Sequence, residues 1–161
     1  MLVVLFAVVT YTDGRFLRIP NVLTYPTMAI GLVFGVLEAF PGTIFTDGLI
    51  DHFIAVLLAF AVSYPFYAAG GLKAGDAKLL MAIGAVRGTT FLLVAAVYGA
   101  LIGGVIAVGL IVARRLRAAP DGATGVTMRG VMKTTMPYGI ALSLGGFIAL
   151  ALEAFATKAT P

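Results

Sequence analysis

The sequence has no cysteine, one histidine and few charged residues. Without cysteine there is no thiol nucleophile, no disulfide framework and no thiolate metal site. The single His52 makes a zinc site only if several carboxylates converge on it, so we expect neither a metal nor another cofactor. The chemistry available to the chain is therefore that of oxygen groups, amines and one imidazole.

The scarcity of charge places the chain in a membrane. Only 11% of the 161 residues are charged and 61% are hydrophobic, with a mean hydropathy of +1.07. Soluble proteins are about one quarter charged. At about 20 residues per crossing, this length allows about six or seven spans. We expect an all-α, polytopic membrane helix bundle that forms a single domain over residues 1–161.

Hydrophobic segments alternate with stretches that hold nearly all the charges. We predict about six transmembrane helices, at residues 1–12, 22–40, 50–69, 75–86, 89–113 and 137–156. The first and fourth segments supply only about 18 Å of helix against about 30 Å of hydrocarbon, so the bilayer thins there or the helices run further. The first segment lacks a basic start and a small-residue cleavage site, which favours a mature helix over a signal peptide.

The positive charges predict an orientation. If the connection 13–21 is cytoplasmic, alternation places 70–78 and 114–136 on the same side. These three connections hold all but two of the eleven Lys and Arg residues. Cytoplasmic loops carry such an excess, so we expect them to face the cytoplasm. The pI of about 9.6 then reflects orientation, and we expect the lipid bilayer, not nucleic acid, as its surroundings.

Three acidic residues lie on this side, and acids in or beside transmembrane helices are often functional. Asp121 lies in a Pro-Asp-Gly turn and is set aside. Asp13 ends the first predicted helix and Asp76 begins the fourth, so both lie at the same depth. Carboxylates about 3 Å apart share one proton and together can activate water. We therefore predict a general acid–base pair of Asp13 and Asp76.

Plainer interpretations of both residues remain open. Asp13 can begin a turn with Gly14, and Asp76 can be an N-cap after Gly75. A small transporter or channel would also carry buried acids along a proton or cation path. A non-catalytic assembly subunit of a pilus or secretion machine would instead use its glycine-rich faces to bind partners.

The last two hydrophobic segments carry small residues at helical spacing. Gly99 and Gly103 have GxxxG spacing in the fifth segment, and Ala141 and Gly145 have the same spacing in the sixth. Small residues at this spacing let helix backbones approach closely. We expect packing from them, and no chemistry.

Three stretches carry a resemblance to a known family. TDGRFLRIPN at 12–21 resembles the first signature of type IV prepilin peptidases, in which an aspartate ends helix 1 before a basic Ile-Pro-Asn stretch. KAGDAKLL at 73–80 is similar to the family's GxGD motif with its downstream Lys-Leu-Leu, and MPYGIALSLGG at 136–146 is similar to the Pro-Tyr-Gly opening of its last helix. One position differs, because Lys73 stands where GxGD has its first glycine.

The resemblance implies an aspartic endopeptidase in the inner membrane of a prokaryote. It would cut the leader peptide from pilin-like or pseudopilin precursors at the cytoplasmic face, with Asp13 and Asp76 as the catalytic pair. Supporting roles would fall to the other motif residues, Gly75, Lys78, Arg18, Pro20 and Asn21. The chain lacks the cysteines of the methyltransferase portion found in larger members, so we expect no N-methylation. The short form resembles the peptidases of tight-adherence (Flp) pilus systems, and archaeal preflagellin peptidases are short as well.

Overall fold

The computed structural model describes residues 1–38, 48–117 and 138–159, and within these ranges the regular structure is helical throughout. The five helices are α1 Leu2–Phe16, α2 Asn21–Glu38, α3 Leu49–Ala68, α4 Ala74–Arg117 and α5 Tyr138–Ala159. The all-α class is therefore confirmed. Asp121 and most of the connection 114–136 lie outside the described residues.

The predicted fourth and fifth segments form the two helical parts of α4, which meet at Gly88. α4 has 44 residues, and its helical path is interrupted at Gly88, where φ is 73° and ψ is −170°. Within the described ranges, three helical stretches are long and apolar enough to cross a membrane, namely Leu49–Ala68, Ala74–Ala113 and Tyr138–Lys158, while Asn21–Leu37 is a shorter apolar helix. The chain reverses direction at Gly88, since Arg87 pairs with Glu153 near the end of α5 whereas Gly103 lies beside Ala141 near its start. The predicted break between the two segments is therefore present, although a total of six crossings is not confirmed.

α1 extends beyond its predicted end at residue 12. It continues to Phe16 and stops at Leu17, whose backbone is left-handed (φ 53°, ψ 33°) and whose N–H donates to the Asp13 carbonyl at 3.0 Å. Asp13 and Gly14 therefore lie inside the last turn of the helix. The interpretation of Asp13 as the start of a turn is wrong, and its side chain is available for contacts with other helices.

The helices pack around α4, which contacts α2, α3 and α5, whereas α1 packs chiefly against α5. The buried core draws on α1, α3, α4 and α5, and includes Leu2, Leu5, Phe6, Val9, Ala55, Ala59, Leu79, Leu80, Ile83, Phe91, Leu92, Ala95, Leu142 and Ala149. The expected close approach of the small residues is confirmed, since a Cβ on Gly145 would lie 2.7 Å from Gly99 Cα. α4 and α5 are therefore in backbone contact.

Polar contacts also join the helices at the end of the bundle where α3 begins. The Asp51 carboxylate accepts the Thr89 N–H at 2.9 Å, which caps the helix that resumes after Gly88. Arg87 pairs with Glu153 at 3.1 Å. His52 is buried, and its Nδ1 donates to the Ala85 carbonyl at 2.8 Å, so it joins α3 to α4.

Candidate active site

A small cleft lies at the opposite end of the bundle, between the end of α1 and the start of α4. Its volume is about 170 Å³. The residues that line it are Asp13, Leu17, Arg18, Ile19, Lys73, Gly75 and Asp76. Two carboxyl groups and two cationic side chains therefore border one cavity, although the carboxyl groups come from helices far apart in sequence.

Asp13 is held by the first turn of α5. The residue is 1% exposed, and its Oδ2 accepts the Ile140 N–H at 3.2 Å. A Cβ on Gly139 would lie 2.9 Å from the same oxygen, closer than side chains normally approach. Glycine at this position thus makes room for the carboxyl group, and the N–H groups and dipole at the start of α5 stabilise its negative charge.

Asp76 is held by the first turn of its own helix. It is also 1% exposed, and its Oδ2 accepts the backbone N–H of Lys73 at 3.2 Å. Lys73 immediately precedes α4 and occupies the N-cap position, so Asp76 is the third residue of the helix and bonds back to the cap. The interpretation of Asp76 as an N-cap is therefore wrong, although its side chain does satisfy a donor at the helix start.

Gly75 lets the chain after α1 pass close to the start of α4. A Cβ on Gly75 would lie 3.2 Å from Ile19 Cβ, a tighter contact than most side chains show. Ile19 and Gly75 both line the cleft. The glycine thus brings the wall formed by residues 17–19 against the helix that carries Asp76.

The other motif residues lie in two places. Arg18 lines the cleft. Pro20 immediately precedes α2, where its carbonyl accepts the Leu23 N–H at 3.1 Å. Lys78 lies beside the cleft and donates to Asn21 Oδ1 at 3.0 Å. Lys78 and Asn21 therefore connect α4 to α2, and they do not border the cavity that contains the two carboxyl groups.

Three residues contribute to the site in ways that were not predicted from the sequence. Gly139 and Ile140 hold Asp13, and their signal was the Pro-Tyr-Gly motif at 137–139, which carried the family resemblance but no structural role. For Lys73, the sequence showed a departure from the GxGD pattern close to Asp76, but not a contact with the end of α1. Its ammonium group donates to the Leu17 carbonyl at 3.1 Å, on the far wall of the cleft.

The donor set of the cleft favours acid–base chemistry. Among the residues that the structure describes, no three acidic or histidine side chains converge as metal ligands would. The cleft does offer two buried carboxyl groups from separate helices, a pattern suited to holding and moving protons.

Comparison with known proteins bears on the same region. A family model described as the type IV leader peptidase family matches residues 1–108, which include both aspartates and two thirds of the chain. No curated protein and no solved structure matches the sequence. The family match agrees with the resemblance of the sequence signatures and rests on most of the described bundle. The chain therefore belongs to the type IV leader peptidase family.

Proposed function

We propose that this protein is an aspartic endopeptidase that removes the leader peptide from type IV pilin-like precursors. The observation that carries the proposal is the placement of Asp13 and Asp76, both buried, on one cleft of a leader peptidase family member. The whole chain acts as one peptidase domain in this proposal. It works in the cytoplasmic membrane of a prokaryote, with the cleft on the cytoplasmic side.

The reaction needs one ionised and one protonated carboxyl group. The ionised carboxylate takes a proton from water, whose oxygen attacks the carbonyl carbon of the scissile peptide bond. The protonated partner donates its proton to the carbonyl oxygen, which gives a neutral tetrahedral intermediate. The intermediate collapses by breaking the C–N bond. The leaving nitrogen takes the proton that came from water, and one hydroxyl group of the intermediate returns a proton to the partner carboxylate as the new C=O bond forms. No covalent bond to the enzyme forms.

The size of the cleft restricts how a precursor binds. Its volume of about 170 Å³ is below the range of about 300–1,000 Å³ typical of ligand pockets. The cavity therefore holds a water molecule and the atoms around one peptide bond, while the rest of the precursor lies along the mouth and in the bilayer. Because a helix engages its peptide groups in hydrogen bonds, the precursor must unwind at the cleavage site.

The first test is cleavage of a prepilin precursor. We expect leader removal by the wild-type protein, and a loss of at least about 100-fold in Asp13→Asn and in Asp76→Asn, which keep side-chain size but remove the carboxylate. The protein and a precursor are co-expressed, and leader removal is scored by gel shift. Membrane levels and detergent melting curves establish that the variants are folded.

The outcomes separate the candidate functions. Cleavage that survives in either folded variant contradicts the acid–base pair. A wild-type protein that cuts none of several precursors, yet conducts protons or cations in liposomes, supports a transporter in which the same acids line the path. Pilus assembly that is unaffected by either substitution supports a non-catalytic subunit.

A further inference from the structure

Lys73 contacts both walls of the cleft. Its backbone N–H donates to Asp76 Oδ2 at 3.2 Å, and its ammonium group donates to the Leu17 carbonyl at 3.1 Å. Leu17 in turn is bonded to Asp13, since its N–H donates to the Asp13 carbonyl at 3.0 Å. A short chain of hydrogen bonds thus runs from one aspartate-bearing helix to the other through one side chain.

Such a link matters because the two aspartate-bearing helices make little direct backbone contact. α1 packs chiefly against α5, while α4 packs against α2, α3 and α5. The position of Asp13 relative to Asp76 is therefore set indirectly, through α5, and at the cleft itself. A small movement at the end of α1 would separate the carboxyl groups even with the core residues of α1 in place.

The end of α1 is a suitable acceptor for an ammonium group. The last carbonyls of a helix have no intrahelical partner and carry the negative end of the helix dipole. Leu17 is also left-handed, a conformation that costs a residue with a side chain about 1–2 kcal/mol. The charged bond from Lys73 offsets part of that cost and holds the helix end in this shape.

We infer that Lys73 is a positioning residue that holds the Asp13 and Asp76 carboxyl groups in register across the cleft. The effect of Lys73 on catalysis rests on the proposed peptidase function. Its effect on the position of α1 relative to α4 does not. A glycine at this position, as in the GxGD pattern, supplies the N–H for Asp76 and lacks the bond to Leu17. Lys73 therefore adds an anchor that the pattern itself does not contain.

The test measures geometry and catalysis separately. Because the chain has no cysteine, Phe16→Cys and Ala74→Cys carry spin labels at two exposed positions, the last turn of α1 and the first residue of α4. Pulsed electron paramagnetic resonance gives the distribution of distances between the two labels in the full-length protein. We expect one narrow peak with Lys73 present, a broader or shifted peak in Lys73→Met and Lys73→Gln, and a narrow peak in Lys73→Arg.

Cleavage kinetics supply the second readout, measured on a precursor that the wild-type protein cuts. We expect Lys73→Met to lower kcat about 10- to 100-fold, because a shift of about 1 Å at the reacting groups has that effect, while KM changes less than about threefold. Lys73→Arg, which keeps a cationic donor, should restore most of kcat. Arg15→Met is the matched control, because it removes one positive charge on the same side of the bundle. Arg15 donates a hydrogen bond to Tyr11 of its own helix.

The outcomes distinguish this inference from the proposed function. A distance distribution unchanged in both Lys73→Met and Lys73→Gln overturns the inference, whether or not the protein cleaves any precursor. A rise in KM with kcat unchanged also overturns it, because Lys73 would then contact the substrate. Broadening in the neutral variants, with Arg15→Met and Lys73→Arg unaffected, supports the inference even if the wild-type protein cuts nothing.

Discussion

At the scale of single residues, each carboxyl group in the cleft accepts a hydrogen bond from a backbone N–H group at the start of a helix. Ile140 at the start of α5 holds Asp13, and Lys73 before α4 holds Asp76. Each helix start carries a partial positive charge that partly offsets the cost of burying a carboxylate. The site therefore depends on helix ends, and small changes at those ends should affect activity before they affect folding.

Gly139→Ala is predicted to impair catalysis with little effect on the bundle. The new Cβ would lie 2.9 Å from Asp13 Oδ2 and 3.0 Å from Ile19 Cδ1, so the carboxyl group must move by a few tenths of an ångström or more. We expect kcat for precursor cleavage to fall about 10- to 100-fold. The measurement is initial-rate kinetics on purified protein, together with a melting curve in detergent.

Gly104→Ala is the control for this substitution. A Cβ on Gly104 meets no atom within 4 Å, so the variant adds a methyl group to a helix without touching the site. It should cleave at the wild-type rate. Equal rates for Gly139→Ala and Gly104→Ala would show that the space beside Asp13 does not determine its position.

The aspartates themselves could be predicted from the sequence, but their partners could not. Asp13 and Asp76 stand out because acids near transmembrane segments are rare and because both fall at the ends of hydrophobic runs. The partner of Asp13 lies 127 positions away and is a backbone group, which leaves no mark on residue type. The bond from Lys73 to Leu17 was equally hidden, since it depends on how α1 ends.

At the scale of elements, α4 shows how one residue shapes a helix. Gly88 has a φ of 73°, and the space where its Cβ would lie is occupied by the Asp51 carboxylate. That carboxylate accepts the Thr89 N–H, so α3 caps the second part of α4. Hydrophobic periodicity located the break between residues 86 and 89, yet it could not distinguish a kink from a loop, because both interrupt the pattern.

Gly88→Ala is predicted to destabilise the protein. The backbone conformation of Gly88 is essentially confined to glycine and costs another residue about 1–3 kcal/mol, and displacement of Asp51 adds the loss of a charged cap. We expect a lower midpoint temperature for thermal unfolding in detergent. Gly109→Ala is the matched control, because no atom lies within 4 Å of its added Cβ and alanine favours a helix. A midpoint for Gly88→Ala at or above that of Gly109→Ala would contradict this account of the kink.

At the scale of the whole molecule, composition predicted the class of fold and left the arrangement of helices open. High hydropathy and scarce charge indicated a helical membrane bundle, and the described residues form one. Which helices pack together was not predictable. α1 is positioned mainly by its contacts with α5, which follows it by more than a hundred residues. Hydrophobic periodicity does not show which apolar segments contact each other. Those contacts depend on how the shapes of the side chains fit together.

The placement of charges at the two ends of the bundle leads to a prediction about orientation. Asp13 and Asp76 lie at one end of the bundle, and Arg87 pairs with Glu153 at the other. The helix rise is about 16 Å from Asp76 to Arg87 and about 20 Å from Ile140, which holds Asp13, to Glu153. The positive-inside bias of the sequence predicts that the aspartate end faces the cytoplasm. We expect a membrane-impermeant maleimide to label Thr157→Cys in intact cells and to leave Phe16→Cys unlabelled.

The cysteine-free chain makes this labelling specific, and both positions are exposed. In disrupted cells both variants should react, which controls for the intrinsic reactivity of each position. Labelling of Phe16→Cys in intact cells would place the cleft outside, where the cytoplasmic end of a precursor cannot reach it. Proposed cleavage at the cytoplasmic face would then fail even with both aspartates intact, because the orientation of the whole bundle decides which peptide bonds the carboxyl groups meet.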